Sequence, residues 1–135
     1  MEKEKSCGAI VIDNGKVLIV KQISGFYGFP KGHMNANEEE EITARREVKE
    51  ETNIDVIINN KYRYTSSYFI KDNVLKEVVF FLARPITTEL RAEEREIEEA
   101  KWVPYTEAFN LITYDDSKRI LDKLLAELKQ SGEEI

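Results

Sequence analysis

Glu47, Glu50 and Glu51 close a segment, Glu38 to Thr52, that contains neither Gly nor Pro and reads as a helix of about four turns. At about 100° per residue they project, together with Glu40, within roughly a third of the helix circumference, so four carboxylates share one face. Glu38 to Glu41 have an ordinary explanation, because acids near a helix N-terminus complement its dipole and form a solvated first turn. Glu47, Glu50 and Glu51 lack that support. They lie in the last turns, where the dipole disfavours anions, and Glu47 repels Glu51 across one i,i+4 step. Arg45, Arg46 and Lys49 could supply counter-charge as salt bridges, although exposed pairs are worth little. A hard divalent cation, Mg²⁺ or Mn²⁺, would supply it better, since Mg²⁺ takes oxygen ligands at about 2.0–2.1 Å, keeps several waters and bridges to substrate phosphates.

The segment before this helix suits such a partner. Ser24 to Gly32 mixes Gly25, Gly28, Pro30 and Gly32 with Phe26, Tyr27 and Phe29, a composition that breaks regular structure while keeping aromatic anchors. We read it as a shaped loop that offers carbonyl oxygens beside the carboxylates. Asn37 is positioned to cap the helix, with Glu40 as the acid of a capping box. Ile42, Ala44 and Val48 are the helix's only apolar residues and make a poor stripe, so something other than core burial must hold it.

The remaining elements form the frame. Cys7 to Ile12 and Lys16 to Gln22 are β-branched stretches joined by Asp13-Asn14-Gly15, a turn sequence that predicts an antiparallel hairpin. Ile54 to Ile58, Tyr62 to Ile70 and Glu77 to Ala83 extend the sheet, with Lys71-Asp72-Asn73 as a turn. Thr87 to Glu99 is acidic and irregular, and Lys101 to Val103 is a short strand. Thr106 caps a short helix through Leu111, Ile120 to Leu128 carry an amphipathic C-terminal stripe, and Ser131 to Ile135 are expected to fray. The expectation is a single α/β domain over residues 1–135.

Composition bounds the chemistry. The chain has 135 residues with 20 basic and 26 acidic side chains, a net charge of −6 and 10% aromatics, enough to bury a core without disulfides. Net negative charge disfavours duplex nucleic acid as a partner, while a small anion remains possible where cations gather locally. One cysteine, Cys7, and one histidine, His33, exclude a Cys/His zinc site and a disulfide framework, which points to the cytoplasm. Cys7 and Trp102 read as buried packing residues. The longest apolar runs are too short to span a membrane.

Gly32, five residues, Glu38, seven residues, then Arg46-Glu47-Val48-Lys49-Glu50-Glu51-Thr52-Asn53-Ile54 resembles the signature of the Nudix hydrolases. Asn53 replaces the usual Gly, a substitution suited to a left-handed helix end. Asn35-Ala36-Asn37 lacks the common Pro-Gly. Phe29-Pro30-Lys31-Gly32-His33 looks like the loop of asymmetrical diadenosine tetraphosphate hydrolases, Val79 to Ala83 is similar to an aromatic strand of that subgroup, and Glu96 before Trp102 resembles its additional acid. Val79 stands where these enzymes often carry a phosphate-binding Lys, leaving Lys31, Lys76 or Lys71 to compensate.

The resemblance implies an α/β/α sandwich with a mixed β-sheet and a metal-dependent pyrophosphohydrolase of nucleoside polyphosphates. It implies that Glu47, Glu50 and Glu51, the Gly32 carbonyl and Glu96 hold Mg²⁺ or Mn²⁺, that Arg46 orients a glutamate, and that Lys31 and His33 contact phosphate. Tyr114 would line the adenine site, with Tyr27 as the lesser aromatic candidate; singly, either reads equally well as a packing residue. Glu96 also reads as part of a solvated acidic run with Glu93, Glu94, Glu98 and Glu99. A small-molecule nucleoside polyphosphate is the expected partner, on a monomer or homodimer. Rival readings are a nucleoside triphosphate, ADP-ribose or another sugar nucleotide, a diphosphoinositol polyphosphate, an RNA cap, or a silent nucleotide-binding sensor.

Overall fold

A computed structural model describes all residues from Met1 to Ile135. The elements in chain order are β1 (Glu2–Asp13), β2 (Lys16–Gln22), β3 (Tyr27–Gly28), β4 (Lys31–His33), α1 (Glu40–Thr52), β5 (Val56–Lys71), β6 (Val74–Pro85), β7 (Ile97–Pro104), α2 (Tyr105–Leu111) and α3 (Asp115–Ser131). β1 is the organising strand. It runs parallel to β6 from Glu2 to Val11, turns antiparallel into β2 at Ile12 and Asp13, and pairs antiparallel with β4 at Ser6 to Gly8. β5 flanks β6, and β7 flanks β2, both antiparallel. The sheet is therefore mixed.

Alternation along the strands sorts the core into two layers. Ile10 and Ile12 of β1, Val17 and Ile19 of β2, and Val78, Phe80 and Leu82 of β6 face Ile120, Leu121, Leu124 and Leu128 of α3. Ala9, Val11, Leu18 and Ala83 face the other way, toward Val48 of α1 and Ile54. Helices cover both faces, giving the expected α/β/α sandwich. α1 does reach the core, contrary to the reading of its poor apolar stripe: Thr43, Ala44, Val48, Glu51 and Thr52 are buried. Its small residues let it lie close to the sheet, and the Thr52 hydroxyl satisfies itself on the Val48 carbonyl at 2.7 Å.

Several local expectations need correction. The segment Ser24 to Gly32 is not all loop, because Tyr27–Gly28 bridges β2 and Lys31 begins β4. α1 starts at Glu40, and Asn37 does not cap it but occupies a left-handed turn at φ 67°. Glu39 stands at the cap position with no side-chain bond, and Glu38 ties the preceding turn to the helix, accepting the Asn35 N–H at 2.9 Å and the Thr43 hydroxyl at 2.8 Å. Nor are Glu38 and Glu40 a merely solvated first turn: Glu38 pairs with Arg46, and Glu40 leaves the acidic face to pair with Arg63 and Lys5. The two strands expected over Ile54 to Ile58 and Tyr62 to Ile70 are one long strand that starts at Val56 and whose register slips between Asn59 and Arg63. β1 and β6 extend past their expected ends, and α2 begins at Tyr105 after Pro104, where Pro ends β7, rather than from Thr106. Trp102 is half-buried rather than sequestered.

The C-terminus is tied down where fraying was expected. Gly132 caps α3 at φ 76°, the Glu133 N–H bonds the Leu128 carbonyl at 3.1 Å, and the Gly15 N–H bonds the Ile135 carbonyl at 3.1 Å. Asn53, at φ 68°, ends α1 in the left-handed conformation its residue type tolerates.

Candidate active site

The last turns of α1 lie against β4, and one contact fixes the spacing. A Cβ added to Gly32 would fall inside the Glu47 carboxylate, so only a glycine lets this side chain lie across the strand. One residue earlier, the Lys31 backbone N–H donates to Glu51 Oε1 at 3.3 Å. The loop and the helix thus meet at Lys31-Gly32.

Arg46 gathers the acids. Its Nε and Nη2 donate to Glu38 at 2.8 and 3.0 Å, its Nη1 to Glu47 at 2.9 Å and Glu50 at 3.2 Å, and its Nη2 also to the His33 carbonyl at 2.9 Å. One guanidinium therefore joins the helix start, the end of β4 and the acidic face. Lys49 does not share this work, since it pairs with Asp55 at 3.1 Å.

Glu47, Glu50 and Glu51 line a cavity of about 370 Å³ with Glu93, Arg95 and Glu96. Glu96 comes from the acidic segment before β7, so the structure brings this acid to the α1 face. Burial, reinforced by Glu47, pushes the Glu51 carboxyl up to about 8. Burial also raises Glu47, against the pull of Arg46. As the side chains stand, no three His, Cys, Asp or Glu groups converge on one point. Arg46 holds oxygens of Glu47 and Glu50, and ligation would require those side chains to turn. The donor set nevertheless fits a hard divalent cation: the cavity offers only oxygen ligands and one arginine, and its buried carboxylates repel each other in a way that a cation relieves.

On the other side of Lys31 opens a larger cleft of about 640 Å³. Lys31 and Lys76 line it, and burial lowers the pKa of both ammonium groups, of Lys31 despite its two nearby glutamates. Lys76 is 6% exposed and donates to Ser6 Oγ at 2.6 Å. It shares the strand face of Val78 and Phe80, whereas Val79 faces the α1 side among Cys7, Ala44 and Phe81. Lys76, not Lys71, is thus the lysine β6 brings to the cleft. The cleft mouth carries Tyr68, Ile70, Phe26 and Tyr114, the last two in contact with ring centroids 5.4 Å apart at 37°.

Two expected substrate contacts lie elsewhere. Tyr27 packs against the main core under the Lys21 ammonium and does not line the cleft. His33 is exposed at the end of β4, 3.6 Å from Glu4, and it reaches the acidic site through its backbone carbonyl. Phe26 was legible only as a loop aromatic, because its partner Tyr114 lies far off in sequence, and Glu38 only as a signature acid, because its turn with Asn35, Thr43 and Arg46 forms outside the regular helix.

Comparison with known proteins bears directly on this arrangement of carboxylates, glycine contact and lysine-lined cleft. The NUDIX domain family model matches residues 3–125. The chain is 36% identical to Nudix hydrolase 2 of Arabidopsis thaliana over 76% of its length, and 32% identical to the Mycobacterium tuberculosis protein MutT4 over 96%. It spans 40% and 58% of those two proteins. A Caenorhabditis elegans Ap4A hydrolase, solved as a binary complex, superposes with a TM-score of 0.83 at 25% identity, covering 94% of this chain and 98% of that one. The chain belongs to the Nudix hydrolase family. No helix in it is long and apolar enough to cross a membrane.

Proposed function

We propose that this protein is a divalent-metal-dependent pyrophosphohydrolase of nucleoside polyphosphates that cleaves diadenosine tetraphosphate to ATP and AMP. The observation that carries the reading is the junction at Lys31: its backbone N–H holds Glu51 on the acidic face, while its side chain lines the aromatic-mouthed cleft. A polyphosphate lying over Lys31 would have its base in the cleft and a phosphorus beside the carboxylates. The likeness to the Ap4A hydrolase supports the substrate. The lone buried cysteine and acidic composition support a cytoplasmic setting.

In this reading Glu47, Glu50, Glu51, Glu96 and the Gly32 carbonyl hold Mg²⁺ or Mn²⁺, which when bound neutralises phosphate charge and acidifies water. One ionised carboxylate of the Glu47, Glu50 and Glu51 trio accepts the proton of the water that attacks phosphorus; as the new P–O bond forms, the bridging P–O bond breaks and its electron pair leaves with the ATP. Lys31 and Lys76 stabilise the charge that grows on the departing oxygens. Arg46 acts through the glutamates it positions. His33, exposed beside Glu4, is a contact for a phosphate reaching past the cleft. One aromatic cleft holds one base, so the cleaved bond lies at a set distance from it, and such positioning is a large part of catalysis.

The test is a panel of diadenosine tetraphosphate, nucleoside triphosphates, ADP-ribose, diphosphoinositols and capped RNA, incubated with Mg²⁺ in ¹⁸O water and resolved chromatographically. ATP and ¹⁸O-labelled AMP are expected from diadenosine tetraphosphate. Two ADP would refute the asymmetric reading; preferential turnover of another compound would reassign the substrate. A diphosphoinositol fits poorly, because the cleft is lined by only two lysines and also by two aspartates.

A further inference from the structure

Asp115 and Asp116 begin α3, immediately after Tyr114, and both line the aromatic end of the cleft. Their situations differ. Asp116 is half-buried and committed, bonded to the Ser66 hydroxyl and to Arg119. Asp115 is exposed, with no ion pair or side-chain hydrogen bond, and stands next in the chain to the ring that closes the cleft against Phe26. The two cleft lysines line the same cleft, and Lys31 adjoins Glu51 through its backbone N–H. The cleft therefore offers donors for anionic oxygens from Lys31 and Lys76 and, beside Tyr114 in the chain, one acceptor that no group of the protein occupies.

An ionised carboxylate only accepts hydrogen bonds, so it favours a base edge that presents N–H and disfavours one that presents a carbonyl or nothing. A base stacked on Tyr114 has its edge within the neighbourhood of the adjacent residue, and the hydroxyls of Ser66 and Ser117 nearby serve either polarity without choosing.

We infer that Asp115 is the base-selecting residue of this site, accepting a hydrogen bond from the exocyclic amino group of the purine held against Phe26 and Tyr114. The inference rests on the nucleotide reading of the cleft. It differs from the ordinary role of a first-turn aspartate, which complements the helix dipole and carries no dependence on the base.

The experiment compares AMP, which has no phosphoanhydride bond to cleave, with purine riboside 5′-monophosphate, which lacks only the amino group. Both are titrated calorimetrically into the wild-type protein and into Asp115→Ala and Asp115→Asn. Wild type is expected to bind AMP roughly tenfold more tightly than the analogue, the usual worth of a hydrogen bond to a charged group. Asp115→Ala should erase that preference while leaving affinity for the analogue unchanged, and Asp115→Asn, whose amide oxygen still accepts, should restore part of it. Circular dichroism melts check that the variants remain folded. Equal weakening of both ligands, or a preference surviving in Asp115→Ala, would overturn the assignment while leaving the nucleotide reading intact. Failure of wild type to bind either ligand would overturn both.

Discussion

Glu47 lies across Gly32 so closely that no side chain fits between them. The glycine is not there for backbone freedom, because Gly32 is absent from the positive-φ residues that include Gly15, Gly25 and Gly132. Its requirement is one of approach alone. Gly32→Ala should therefore leave the backbone unstrained, displace the Glu47 carboxylate and lower kcat/KM for nucleoside polyphosphates by about 10²-fold, with little change in melting temperature because only the flexible end of Glu47 must move. Wild-type turnover in Gly32→Ala would show that Glu47 need not lie where it does.

Glu51 links pH to stability. Its carboxyl is held at about 8 in the fold against 4.5 in the unfolded chain, first by burial and then by Glu47. Between those values the unfolded chain releases the proton and the folded chain keeps it, so stability present below about pH 4.5 declines as pH rises to 8. Without added metal, Glu51→Gln should be more stable than wild type at pH 8, by on the order of 2–4 kcal/mol, and similar to it near pH 4.5. Added Mg²⁺ should raise the melting temperature of wild type more than of the variant. Activity of Glu51→Gln should fall by about 10²-fold or more. Chemical denaturation across pH, with and without Mg²⁺, checks all of this.

Glu40 has the opposite sign. Hydrogen bonds from Arg63, then Lys5, hold it down to about 2 in the fold, so its contribution is complete above about 4.5 and is lost as pH falls toward 2. Arg63→Gln removes the main partner, bound through Nε and Nη2 at 2.8 Å each. The acid unfolding midpoint followed by circular dichroism should move to higher pH, with activity near neutrality preserved. An unchanged midpoint would mean the pair is fully screened by solvent.

Tyr114 is 54% exposed and touches Phe26 rather than the core. Tyr114→Ala should consequently raise KM for adenine dinucleotides, by the equivalent of about 1–3 kcal/mol, with little change in melting temperature. Tyr27→Ala should do the reverse, because Tyr27 packs on the main core. Steady-state kinetics and thermal melts on both variants separate the two roles; a melting loss in Tyr114→Ala with unchanged KM would remove it from the site.

The acids of α1 were legible because their arrangement is local. A helix repeats every 3.6 residues whatever surrounds it, so Glu47, Glu50 and Glu51 share a face by spacing alone, and the two-residue period of strands likewise sorted most of the core. The same logic failed for Glu40, whose angular position matches Glu47, because Arg63 and Lys5 from neighbouring strands draw it away. Asn37 does not cap the helix because its backbone makes a left-handed turn two residues before the boundary, which leaves Glu39 at the cap position with no side-chain bond. Other relationships exist only in three dimensions. The parallel register of β1 with β6 sets Lys76 opposite Glu4 and places its ammonium on Ser6, and the return of β7 along β2 carries Glu96 to α1. Phe26 meets Tyr114 because β2 ends and α3 begins at the same edge of the sandwich. Sequence by itself determined which residue types carry the chemistry and which helix presents them, since those follow from short-range backbone geometry. Tertiary structure decided which distant groups join them, since strand register and layer packing are set by burial of the whole core and not by any one segment.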